Sequence, residues 1–186
     1  MRPIHWTMVL ISVGMMVSTS AVAAPDEAAL AERLAANAPQ CGRFEQSRWM
    51  ADLDTQLESR GYFEHQEDGL VWQTTAPIND RVLLSEDNDE LPKGFQVIAP
   101  MLGGLLAGDW QRLEKYFTTE LSGEEQRWQA TLTPNEASIA ERLTQLHVRG
   151  SQQVDEVEID FANDDRLSLT LTAADCDSLD DSDPAT

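Results

Sequence analysis

Two stretches decide the fold: Val157-Glu158-Ile159-Asp160-Phe161 and Leu167-Ser168-Leu169-Thr170-Leu171-Thr172, joined through Asn163-Asp164-Asp165. In both, apolar and polar residues alternate strictly. A period of two places Val157, Ile159 and Phe161 on one side of a strand and Glu156, Glu158 and Asp160 on the other. The second stretch repeats the pattern with Leu167, Leu169 and Leu171 against Ser168, Thr170 and Thr172. This is an antiparallel pair with one wet face and one apolar face, as in a sheet covered on one side only.

Working outward, more strands precede this hairpin. Residues 43–52 and 57–66 read as strands with a polar turn between them. Asp68-Gly69 is a tight hairpin signal, Leu70-Val71-Trp72-Gln73-Thr74 is its return strand, and Pro77 ends it. Residues 81–85 form a further short strand, followed by an acidic turn at 86–90. Residues 117–121 and 127–133 pair around Ser122-Gly123. Helical periodicity interrupts these strands in a few places. Residues 26–38 carry Leu30 and Leu34 four apart and stop at Pro39. From Pro100, taken as a helix start, Met101, Leu102, Leu105 and Leu106 make one stripe that ends at Gly108; residues 94–99 are ambiguous. Residues 109–116 read as a short helix capped by Asp109. Residues 135–146 read as a helix with Ile139, Leu143 and Leu146 on one face. The helices are not regularly interleaved with strands, which argues against a parallel doubly wound sheet. The expected class is mainly β (α+β): one strongly curved antiparallel sheet, or unclosed barrel, whose concave apolar face is covered by helices.

The chain has 186 residues, 13 basic and 33 acidic, for a net charge of -20. Such acidity excludes nucleic acid, whose phosphates need a basic face. Lys93 and Lys115 are the only lysines, so a polybasic membrane-docking patch is excluded too. The acid surface would hold the protein off anionic membranes and favour a basic docking face.

Residues 1–23 read as a cleaved secretory signal. Arg2 gives the basic start, residues 6–17 are uncharged, and Ala21-Val22-Ala23 is an A-x-A ending. The apolar run is shorter than the roughly 20 residues of a membrane span. Residues 24–176 would then form a single domain in an oxidising exported space, with 177–186 a disordered acidic tail. No cysteine stands at the cleavage point to take a lipid. In that space Cys41 and Cys176 can pair; the alternative is two buried free thiols.

Catalytic signatures are missing: the sequence holds no G-x-S-x-G, H-E-x-x-H, P-loop or G-x-G-x-x-G. His65 reads as a solvated strand-end residue and His147 as a helix-ending one whose charge suits the dipole. The carboxylates fall on alternating polar positions or in turns, which is a solvated-face pattern rather than a hydrolase pair. The expectation is no enzyme, no metal and no cofactor.

A set of weak motifs in a shared order carries a resemblance. They are Phe44-x-Gln46, Gly61-Tyr62-Phe63, Trp72 with Pro77 after four further residues, and Val82-Leu83-Leu84-Ser85-Glu86-Asp87. Pro100-Met101-Leu102-Gly103-Gly104-Leu105-Leu106, Leu132-Thr133-Pro134 and the final hairpin complete it. Over roughly residues 30–172 the chain resembles the LolA-like family of periplasmic lipoprotein carriers. The resemblance implies an unclosed antiparallel β-barrel with a helical lid over a hydrophobic cavity. It implies a soluble, monomeric periplasmic carrier, without catalysis or cofactor. The carrier would take a lipoprotein or other acylated cargo from an inner-membrane transporter to an outer-membrane acceptor. The alternative is a lipid- or lipoprotein-sensing interaction module with the same fold. In the family an arginine six residues before the motif tryptophan latches the lid. Here that position is Gln66, a neutral amide without the guanidinium's charged fork, so cargo other than lipoproteins, such as another lipid or an acylated pigment, fits as well.

The cavity residues so implied are Trp49, Phe63, Leu70, Trp72, Leu83, Met101, Leu102, Leu105, Leu106, Phe117, Trp128, Leu132, Leu167 and Leu169, each of which ordinary core packing would explain equally. Gly103 and Gly104 would form a lid hinge, because paired glycines weaken a helix interior, or would permit close packing.

Overall fold

The computed structural model describes residues 25–85, 91 and 95–179. The expected signal (1–23), the acidic turn at 86–90 and tail residues 180–186 lie outside the described residues. In chain order the elements are α1 (Glu27–Ala36), β1 (Cys41–Met50), β2 (Thr55–Gln66), β3 (Gly69–Ala76), β4 (Asp80–Leu84), α2 (Phe95–Ala107) and α3 (Trp110–Glu114). They are followed by β5 (Phe117–Glu124), β6 (Arg127–Pro134), α4 (Ala137–Ala140), β7 (Leu143–Gly150), β8 (Val154–Phe161) and β9 (Arg166–Ala173).

All strands join one antiparallel sheet in the order β4-β3-β2-β1-β9-β8-β7-β6-β5, open at β4 and β5. Two meanders, β1–β4 and β5–β9, meet at the β1·β9 seam, where Phe44 stands opposite Leu171 and Gln46 opposite Leu169. This order has a direct consequence. β4 and β5 are consecutive strands at opposite edges, so the segment between them has to travel across the sheet. That segment carries α2 and α3, and their apolar side chains join those of one sheet face in a single core cluster. Asp26 caps α1 by accepting from the Ala29 N–H at 2.9 Å, and Asp109 caps α3 through the Arg112 N–H at 3.2 Å.

The register defines an inner face. Residues directly opposite share a side, so Leu84, Trp72, Phe63, Phe44, Leu171, Leu169, Val157, Val148 and Leu132 all belong to it. At the seam the chain ends are tied: Cys41 is bonded to Cys176 with Cα atoms 5.3 Å apart. The Ala174 N–H reaches the Cys41 carbonyl at 3.0 Å, and Arg43 donates to the Ser178 carbonyl at 2.6 Å. Residues 177–179, assigned above to a disordered tail, are folded. Cys176–Ser178 form one 3-10 turn and Leu179 is buried.

Four expectations need correction. Residues 135–146 are not one helix: α4 is a single turn, and Leu143 and Leu146 lie on strand β7. The cause is a bulge. Leu143 pairs with Phe161 and Gln145 with Asp160, so Thr144 is an extra residue. One inserted residue puts Leu143 and Leu146 three apart on the same face, which imitates a helical interval. His147 is therefore a strand residue on the outer face, not a helix end. Pro100 lies inside α2 rather than at its start. It forfeits only the bond to the Gln96 carbonyl, and the apolar run Val97-Ile98 continues the helix upstream. The β5–β6 turn is Glu125-Gln126, not Ser122-Gly123. Gly123 sits within the ladder opposite Trp128 at φ +87°, where an added Cβ would lie 2.4 Å from the Arg127 carbonyl oxygen.

Candidate functional site

The inner face is built from two kinds of packing. Between β5 and β9 it is mostly aliphatic: Leu132, Leu146 and Ile159 are fully buried around Trp128, which meets Trp110 edge to face at 5.9 Å and sets its indole N–H on the Ser151 carbonyl at 3.0 Å. Across the seam it becomes aromatic. Phe44 stacks on Trp72 with centroids 3.9 Å apart, and Phe63 lies parallel to Trp72 at 6.3 Å. Two glycines make this possible. A Cβ on Gly42 would come within 2.4 Å of the Phe63 ring. One on Gly61 would meet the Gln73 carbonyl oxygen at 1.9 Å and the Phe44 ring at 2.8 Å.

Over this face lie Met101, Leu102, Leu105 and Leu106 of α2, Trp110 and Leu113 of α3, and Leu30 and Leu34 of α1, all buried. The α2 backbone runs closest to α3 and to the edge strand β4, and its buried side chains join the cluster on the inner face. In this conformation those side chains occupy the space where a cavity was expected. The two clefts described lie elsewhere. One of about 750 Å³ separates α1 from α3, with Asp26, Glu27, Glu32, Asp109 and Glu114 along its sides. The other, of about 340 Å³, opens on the outer face beside Glu58 and Pro77.

Of the residues singled out from sequence, Phe63, Leu70, Trp72, Met101, Leu102, Leu105, Leu106, Phe117, Trp128, Leu132, Leu167 and Leu169 come together in the one cluster. Trp49 and Leu83 do not. Trp49 pairs with Gln56 and Arg166 on the outer face and is 38% exposed. Leu83 pairs with Val71, on the side opposite Leu70 and Trp72. Gln66 is exposed at the β2–β3 turn, opposite Gly69 and facing away from the helices. The neighbouring inner-face residue is His65, which pairs with Leu70. An alanine Cβ at Gly103 meets nothing within 4 Å, and one at Gly104 makes ordinary contacts with Asp109, Arg112 and Leu113. Neither glycine is required for packing.

Phe44, Trp110, Leu146 and Ile159 belong to this interior but are not among the cavity residues expected from sequence, although the sequence pattern puts Ile159 and Leu146 on apolar faces. The signal for Phe44 was register: it faces Leu171 and Gly61, and only the pairing reveals that Gly61 vacates room for its ring.

A few polar groups interrupt the apolar surface. His65 is half-buried, edge-on to Phe63, and its Nε2 has no partner among the described residues. Burial pushes its pKa below the ordinary imidazole value. Trp110 Nε1 and Thr119 Oγ1 are likewise buried without partners. At the far end of the seam Asp165 is buried. It accepts from the Ala51 N–H at 2.9 Å and from Arg48 at 3.0 Å, and these bonds, the backbone one foremost, hold its carboxyl below the usual range. The Asp165 carboxylate thus pins the β1–β2 turn to the β8–β9 turn.

His147, Glu158 and Asp160 on the outer face bring ligand atoms within 4.8 Å of one another. Arg166 already supplies the cation there, 2.9 Å from Asp160 and 3.6 Å from Glu158. The donor set is that of a charge-neutralised strand surface, not of a metal centre. Among the described residues no helix is long and apolar enough to cross a membrane.

A family model described as outer membrane lipoprotein carrier protein LolA-like matches residues 19–177. Among solved structures the chain is similar to a LolA superfamily protein from Nitrosomonas europaea, at 9% identity and a TM-score of 0.36, covering 80% of this chain and 92% of that one. No curated protein matches it.

Proposed function

This chain belongs to the outer membrane lipoprotein carrier protein LolA-like family, and from that premise we propose that it carries acyl chains between its sheet and its helices. The cargo is a lipoprotein or another acylated lipid. It is received from an inner-membrane transporter and passed to an outer-membrane acceptor across the periplasm, by a monomer without catalysis or cofactor. One observation supports this most: an apolar sheet face roofed by α2, a helix on the connection between the two edge strands, whose stripe Met101, Leu102, Leu105 and Leu106 is buried in the same cluster as that face. α2 is the lid in this reading, and Gly103-Gly104 is its point of give. The Cys41–Cys176 bond suits an oxidising exported space.

The energies allow exchange. A sixteen-carbon chain leaving water gains about 12 kcal/mol gross at about 0.8 kcal/mol per methylene. It takes the place of Met101, Leu102, Leu105 and Leu106, whose burial is worth about 1.5–3 kcal/mol each, or about 6–12 kcal/mol together. Near balance, a partner's modest push loads or unloads the carrier.

The test is direct. Organic extracts of gently purified protein, read by mass spectrometry, are expected to contain a diacyl or acylated species, and empty protein is expected to take up a fluorescent fatty acid. Repeated empty preparations that also fail to take up the probe would end this reading.

A further inference from the structure

The β1–β2 ribbon outruns its neighbour. β1 is paired on both sides along nearly its whole length, by β2 and by β9. β2 is paired with β3 only from Arg60 onward. Among the described residues, no strand lies on that side of residues 55–59. The ladder stops for a local reason. At the bulge Thr75 is the extra residue, and its hydroxyl donates to the Arg60 carbonyl at 3.2 Å. The next position on β3 is Pro77, which has no N–H to offer Ser59. Alternate residues of an antiparallel strand turn their N–H and C=O away from the paired neighbour. Residues 55–59 therefore present an open strand edge, of the kind that most proteins cover.

The surroundings of this edge are apolar in an otherwise acidic protein. Among the described residues, the large hydrophobics left exposed are Trp49 at 38%, Leu53 at 64%, Leu57 at 52% and Ile78 at 72%. All of them stand on this rim: on β1 and β2, in the turn between those strands, or directly after Pro77. Beside the edge runs the 340 Å³ cleft lined by Glu45, Glu58, Ser59, Arg60, Ala76 and Pro77.

We infer that this edge is a docking site for an extended segment of a basic partner protein, which adds a strand to β2 in the row that β3 vacates. Register states what that segment looks like. Leu57 and Ser59 share the inner side, and Gln56 and Glu58 the outer side with Glu45 and Trp49. A strand laid beside them alternates apolar side chains against Leu57 with cationic ones against Glu58 and, reaching across β2, Glu45, whose opposite residue is Arg60. The same charges disfavour the other occupants. A second copy would bring another net charge of -20, and an anionic bilayer would face Asp52 and Asp54 in the turn. The inference uses none of the interior and stands whether or not the protein carries lipid.

Two capped hexapeptides test it, one alternating valine with lysine and one alternating valine with glutamate, with amide hydrogen exchange read along the full chain. The lysine peptide is expected to slow exchange within residues 55–59 by about tenfold, and the glutamate peptide to leave it unchanged. Glu45→Lys with Glu58→Lys, both on an exposed surface, is expected to weaken the lysine peptide by about tenfold. Several results would overturn the inference. They are no slowing by the lysine peptide, equal slowing by both peptides, or slowing that falls instead on the outermost strands of the sheet, Asp80–Leu84 or Phe117–Glu124. Protection of 55–59 that grows with protein concentration alone would assign the edge to a second copy. Protection by phosphatidylglycerol vesicles would assign it to a membrane.

Discussion

The two meanders of the sheet are packed against the same helices yet differ in kind. From β5 to β9 the inner face is mostly aliphatic, with Leu132, Leu146 and Ile159 wholly out of water and Phe117 and Trp128 set among them. From β1 to β4 it is an aromatic stack set over glycines. It passes to a half-buried His65 at one end and to the exposed Leu57 at the other. The β1–β4 half is built on the stacked rings of Phe44, Trp72 and Phe63, which can slide over one another without opening a large void. If the protein carries cargo and docks a partner as proposed, the difference points to β5–β9 as the scaffold and to β1–β4 as the half whose contacts change.

The largest expected effect concerns the seam that joins them. Cys41 and Cys176 close 135 positions of chain, worth about 5 kcal/mol in the chain-entropy account and about 2–5 kcal/mol in typical secreted domains. Replacing both by serine should lower the urea midpoint accordingly. A loss below about 1 kcal/mol would mean that the β1·β9 ladder alone couples the halves. Next comes one substitution made twice on the same face. Leu146→Ala should cost about 3–4 kcal/mol and leave fatty-acid uptake per folded molecule unchanged. Leu57→Ala should cost no more than about 0.5 kcal/mol. Comparable costs at the two sites would erase the distinction drawn between the halves.

The same contrast explains what could be read without coordinates. The β8–β9 hairpin was legible because Val157 to Phe161 and Leu167 to Thr172 each alternate strictly on either side of a polar turn, and paired alternation of that kind reads as strand. The helices over the sheet were legible from Leu102, Leu105 and Leu106, though the start of α2 was hidden behind Pro100. Where the backbone adds a residue, the pattern misleads. The extra Thr144 turned a strand into an apparent helix, and the extra Thr75 with Pro77 concealed an open edge. Trp49 reads as interior from its composition alone, and only pairing with Gln56 and Arg166 shows that it faces out. The aromatic stack was half legible: Phe63 and Trp72 were picked out, whereas Phe44 depends on the room left at Gly61, and room is a property of two strands together.

A smaller effect sharpens the assignment of movement. Gly103 has open space where a Cβ would stand, so Gly103→Ala should add about 0.5–1 kcal/mol to α2 by removing backbone freedom. If the helix has to bend for cargo to enter, the variant takes up a fluorescent fatty acid more slowly while melting higher. Uptake at the wild-type rate would place the give elsewhere, at the α2–α3 junction or in the approach from β4.

The smallest effect belongs to His65, and its sign follows from burial. Desolvation keeps the folded imidazole from protonating at its ordinary value of about 6.5, so below that pH the unfolded chain binds more protons than the folded one. Stability contributed by the neutral ring is complete above the unfolded value. It is lost as pH falls toward the depressed folded value. Because His65 stands at the inner end of the aromatic stack, against Phe63, acid should loosen the β1–β4 half before the aliphatic half. Hydrogen exchange followed from pH 7 down to 5 is expected to quicken first around the β2–β3 hairpin, and His65→Gln should flatten that dependence. A slope unchanged in the variant would move the acid response to other groups and leave the aromatic half as settled as its neighbour.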